Sequence, residues 1–125
     1  MDERQFKQRT KDVALRVIKL TEALPGGRAA DVLARQLLRS ATSIGANYRA
    51  ACRSRSAADM ISRLSIVEEE ADEVTYWIEL LTEAGLVRAK KVEPLQREVH
   101  EIVSMTVASI KTLRSRAIQT PKSKI

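Results

Sequence analysis

One cysteine, four aromatic residues, four glycines, three prolines and one histidine are few for a chain of 125 residues, and each shortage excludes something. With Cys52 alone no disulfide can form within the chain, and a reducing compartment, the cytoplasm, is the expected location. The single histidine, His100, is preceded three residues earlier by Arg97 rather than by a glutamate, so the Glu-x-x-His pairs of a di-metal bundle are missing. Too few Gly and Pro are present to turn a sandwich of short strands. Aromatics at 3% leave the interior to Leu, Ile, Val, Ala and Met, which favours closely packed helices. Nowhere do about 18 apolar residues run together, and Met1 to Asp12 contain no apolar signal core, so no membrane contact is expected.

What is present is a seven-residue repeat. With Ala57 as position a, the a series is Ala57, Leu64, Ala71 and Ile78, and the d series is Met60, Val67, Val74 and Leu81. Such a seam marks a helix packed lengthwise on others at a shallow angle. The other apolar stripes predict three more helices. Phe6, Thr10, Val13, Val17, Leu20 and Leu24 face inward from a helix over 3–23, which Pro25-Gly26-Gly27 ends. Leu33, Leu37, Ile44 and Ala51, flanked by Ala34, Ala41 and Tyr48, line one over 29–52, kept thin by Ser40, Gly45 and Ala46. Val92, Leu95, Val99, Ile102, Val103, Thr106, Ile110 and Leu113 line one over 89–117, with Pro94 in its first turn or just ahead of it. Ser56 caps the third helix, and Asp59 favours its positive end. The fold class is therefore all-α, an antiparallel up-down-up-down four-helix bundle over residues 1–118, with 119–125 as a disordered tail.

Charge is unevenly placed. Residues 25–58 carry six Arg against one Asp, whereas residues 59–87 carry one Arg against eight carboxylates, within a net charge of +6. The acidic helix is expected to pair with basic neighbours in the bundle or across a subunit contact. Glu68, at the edge of the seam, is expected to pair across to an Arg or to Asn47. The remaining cations suit a polyanion, and Arg39, Arg49, Arg53 and Arg55 are the candidate phosphate ligands. Only Tyr48 is interleaved with them, so binding would be by phosphate contact rather than base stacking. Ile66, Trp77 and Leu80 form a second apolar stripe on the third helix, and Leu15 and Ile18 a complementary patch on the first, as a candidate subunit interface. Trp77 could equally cap one end of the core. Cys52 reads as a small buried hydrophobe and His100 as a solvated side chain.

The run Gln36-Leu-Leu-Arg-Ser-Ala-Thr-Ser-Ile-Gly-Ala-Asn-Tyr48, followed by Ile66-Val-Glu-Glu-Glu-Ala-Asp-Glu73 and Tyr76-Trp-Ile-Glu-Leu-Leu81, resembles the bacterial four-helix-bundle family encoded in intervening sequences of large-subunit ribosomal RNA genes. Helix order and length agree over about residues 5–118. The resemblance implies a non-enzymatic bundle that assembles into a homo-oligomeric ring, commonly a pentamer, with a role around RNA; the residues themselves give no reason to expect a cofactor or metal. The accessory variability determinant of diversity-generating retroelements looks like a relative, which implies nucleic acid and a reverse transcriptase as partners. Where family members carry an acidic residue soon after the asparagine, Ala50 and Ala51 stand here. The expected function is thus a homo-oligomeric bundle that binds RNA or DNA non-specifically. A scaffold that docks a protein partner on the acidic third helix is the alternative, and an enzyme using the carboxylates or Cys52 is the least favoured reading.

Overall fold

The computed structural model describes residues 1–119 and contains four helices, α1 (Glu3–Glu22), α2 (Arg28–Cys52), α3 (Ala57–Glu83) and α4 (Ala89–Gln119). Among the described residues there is no strand. The expected tail lies outside the described residues, except that Gln119 is the last residue of α4.

Each end has a local cause. Asp2 accepts a hydrogen bond from the Gln5 N–H at 2.8 Å, and the Gln5 side-chain oxygen accepts from the Asp2 N–H at 3.1 Å, closing a capping box at the start of α1. Ser56 Oγ accepts from the Asp59 N–H at 3.1 Å, the cap that the sequence predicts for α3. At the other end of α3, Gly85 adopts φ 76°. The Leu86 N–H then reaches the Leu81 carbonyl at 2.9 Å, and the Gly85 N–H reaches that of Thr82 at 3.0 Å. These two bonds form a Schellman motif that turns the chain toward α4.

Pro94 differs from expectation. It is the sixth residue of α4 rather than part of the first turn, and the helix continues through it. Because proline has no N–H, the Lys90 carbonyl one turn earlier loses its usual helical partner.

Each helix packs beside the next in the chain, and α4 closes the bundle against α1, which makes the arrangement antiparallel and up-down-up-down. The α1–α4 seam is the loosest of the four. Between α1 and α2 the approach is close, because a Cβ on Gly45 would stand 3.3 Å from Thr10 Oγ1. The heptad seam is the core of α3: Leu64, Val67, Ala71, Val74, Ile78 and Leu81 are buried, while Met60 is half-buried and Ala57, at the helix start, is exposed. The inward stripes of the other three helices meet it. A smaller cluster of Ala51, Leu64 and Ile110, with Tyr48, Met60 and Leu113 around it, fills the end that holds the α2–α3 turn. The buried hydroxyls of Thr10, Ser40 and Thr106 donate to carbonyls three or four residues back, and Ser40 Oγ also lies 3.3 Å from the Glu73 carboxylate on α3.

Candidate nucleic-acid interface

The basic end is built by the α2–α3 turn. Arg49 lies in the last turn of α2, Arg53 is its C-cap, and Arg55 follows in the turn; all three are exposed and form no ion pair among the described residues. A cation at the C-terminus of a helix also offsets the partial negative charge of its last carbonyls. The turn is only four residues long, which holds the three guanidinium groups to one end of the bundle.

The fourth expected phosphate ligand is placed differently. Arg39 sits midway along α2 and reaches across to α3, donating to Glu70 Oε2 at 3.1 Å, to Glu73 and to Ser40 Oγ at 3.2 Å. Its guanidinium is committed to Glu70 and Glu73 at the bundle surface, so Arg39 is not a free cation of the basic end. The expected partner of the acidic seam edge is also corrected. Glu70, not Glu68, is the buried carboxylate, and Glu68 forms no ion pair among the described residues. The two residues lie on opposite flanks of the α3 seam. The Glu70 flank faces the Arg-rich α2, whereas the opposite flank faces α4, where Gln96 donates to the Thr75 carbonyl at 3.3 Å. Asn47 keeps its amide on its own helix, donating to the Ser43 carbonyl at 2.9 Å.

Two further cations extend the basic surface along the bundle, and apolar periodicity gave no sign of them. Lys7 and Lys11 of α1, together with Arg49, border a groove of about 350 Å³ whose floor is made of Thr10, Ala14, Thr42, Gly45 and Ala46. The small residues that bring α1 and α2 together thus leave a shallow channel between cations. Lys7 is partly occupied, with Glu3 at 3.2 Å on the next turn. That lysine holds the Glu3 carboxyl below its ordinary range.

The candidate interface residues divide in two. Leu15 is 50% exposed and Ile18 37% exposed on α1, and Ile66 is 40% exposed on α3. Trp77 is half-buried, packs against the core and meets Tyr76 edge-to-face at 5.1 Å between ring centroids. Leu80 is half-buried as well. The aromatic that α3 presents outward is Tyr76, 53% exposed, which belongs to neither apolar stripe.

Cys52 is half-buried, and burial pushes its thiol above the ordinary value, so it is held as the thiol rather than as a nucleophilic thiolate. His100 is exposed. Among the described residues no group of three or more His, Cys, Asp or Glu side chains is placed to hold a metal ion, and no helix is long and apolar enough to cross a membrane.

The chain is similar to a crystal structure of a protein with unknown function from the S23 ribosomal protein family of Bacteroides thetaiotaomicron VPI-5482. Identity is 34%, 89% of this chain and 99% of that chain are covered, and the TM-score is 0.82. No curated protein matches the sequence. The family model described as 23S rRNA-intervening sequence protein matches residues 2–108, from the capping box of α1 into α4. With nearly the whole bundle inside that match, the chain belongs to the 23S rRNA-intervening sequence protein family.

Proposed function

We propose that this protein is a non-enzymatic, cytoplasmic homo-oligomer, a ring and commonly a pentamer in the manner the resemblance implies, that holds RNA or DNA through its basic end. The observation that carries the reading is the exposure of Arg49, Arg53 and Arg55 together at one turn, without carboxylate partners among the described residues. A closed ring repeats that end once per subunit, so weak single contacts add as avidity along one polyanion. With no aromatic side chain exposed beside these arginines, recognition is of phosphate and not of base sequence. The raised Cys52 thiol supports a role without covalent chemistry.

The test is retention of structured RNA and of duplex DNA by the unaltered protein and by a triple variant, Arg49→Glu, Arg53→Glu and Arg55→Glu. The unaltered protein retains both, with a steep loss between about 50 and 200 mM salt as counterion release requires. The variant loses retention with helix content and oligomer size unchanged. Failure of the unaltered protein to retain either polymer at low salt overturns the reading.

A second reading has its own observation. Exposed Tyr76 stands among Glu69, Asp72, Glu79 and Glu83 on the outer surface of α3, an aromatic anchor within an acidic field. Such a surface suits a basic protein partner, of which a reverse transcriptase is one example.

A further inference from the structure

The loosest seam of the bundle ends in a groove that the nucleic-acid reading does not use. Between the last turns of α1 and the start of α4, Arg16, Lys19 and Lys91 border a cavity of about 280 Å³ over Leu20, Val92 and Leu95. It adjoins a second cavity of about 220 Å³ under the α3–α4 turn, where Arg88 joins Lys91 above Leu24, Leu86 and Val87. Leu20, Ala23 and Lys91 line both, so the two are one continuous groove.

Two features set it apart from an ordinary surface furrow. All four cations are exposed and none forms an ion pair among the described residues, and no carboxylate lines either cavity. Elsewhere on the same seam the opposite holds: Arg9 is locked to Glu98 by hydrogen bonds of 2.8 and 2.6 Å, which join α1 to α4. The floor side chains Leu20, Val92 and Leu95 are apolar and at most 8% exposed, so the groove has an apolar bottom beneath a rim of cations.

We propose that this groove binds a small amphipathic anion, an aliphatic carboxylate or phosphate monoester free in solution, with its head among Lys19, Arg88 and Lys91 and its apolar body over Leu20 and Leu95. Charge complementarity selects the head, because four positive side chains without a carboxylate counterion favour a negative group. Length selects a small molecule over a partner helix. From Arg16 to Ala23, the C-cap, the lining runs about 10 Å along α1, about two helical turns. The cavities, about 280 and 220 Å³, lie just below the lower end of the range that small-molecule sites occupy, which suits a small ligand.

The experiment is calorimetric titration of the full-length protein with monomeric decanoate and decyl phosphate, against decanol and inorganic phosphate. Both amphipathic anions bind once per chain, and each binds at least about tenfold more tightly than decanol or inorganic phosphate, a difference of about 1.4 kcal/mol. The double variant Lys19→Glu and Lys91→Glu loses that advantage. Ala23→Phe, which fills the floor and leaves every cation in place, weakens the amphipathic anions and leaves inorganic phosphate unchanged, with helix content checked for both variants. Equal affinity for decanol, undiminished decanoate binding in the double variant, or retention on phosphatidylglycerol vesicles without binding of the monomeric anions would each overturn the proposal. Loss of RNA retention in the basic-turn variant leaves this groove intact, so the two sites are tested separately.

Discussion

Arg39 on α2 and Glu70 on α3 meet at 3.1 Å between Nη1 and Oε2, and the carboxylate of that pair is buried while the guanidinium is half in water. The asymmetry decides how each residue responds to loss of the other. Arg39→Met leaves Glu70 buried beside Glu73 without its counterion, and since Arg39 is half-exposed the expected destabilisation is about 1–3 kcal/mol, below that of a fully buried pair. Arg39→Met combined with Glu70→Met removes the stranded charge and recovers most of that loss. Urea denaturation of the two variants measures the difference; equal losses would show that the pair itself, not the orphaned carboxylate, carries the effect.

Leu64 and Ile78 lie on the heptad seam with 1% and 0% exposure, and each is enclosed by neighbouring helices. Leu64→Ala or Ile78→Ala is expected to cost about 2–5 kcal/mol through lost burial and a residual cavity. Lys111→Ala, on the exposed surface of α4, is expected to stay within about 0.5 kcal/mol of the unaltered protein. Thermal or urea unfolding followed by far-UV dichroism checks the contrast.

Alkaline pH should weaken the bundle through its basic end. Burial pushes the Tyr48 phenol above its ordinary 10.0 and the Cys52 thiol above its ordinary 9.0. The unfolded chain therefore releases these protons first. Above about pH 9 it binds fewer protons than the folded chain, and stability falls as pH rises. Below that pH both groups are protonated in either state, and this contribution is fully present. Tyr48→Phe with Cys52→Ala should flatten the decline between about pH 9 and 11 relative to the unaltered protein, as read from urea midpoints.

Self-association is expected to use the exposed apolar side chains rather than Trp77. Ile66→Asp with Leu15→Asp places charge at positions that the single chain leaves in water, so the monomer fold is retained while an apolar subunit contact is lost. Light scattering at tens of micromolar, a range set by ordinary interface affinities, should report an oligomer for the unaltered chain and a smaller species for the variant. Trp77→Asp is a poorer probe, because that ring packs against the core and its loss would disturb the fold itself.

What this sequence determined alone is everything carried by short-range periodicity. The Leu64-to-Leu81 seam, the inward stripe of α1 from Phe6 to Leu20 and the Ser56 cap each depend on residues three to seven apart, and helical geometry converts such spacings directly into faces and ends. The tertiary structure decided which charges are free. Arg39 and Arg49 stand alike in the sequence of α2, yet one is taken by Glu70 and Glu73, 31 and 34 residues away, and the other remains open. Arg9 and Glu98, 89 residues apart, close one stretch of the α1–α4 seam, while Lys19 and Lys91 leave another without a carboxylate. Ion pairing is governed by distance across helices and by the desolvation of the particular site, and neither is written in the order of residues along a single helix.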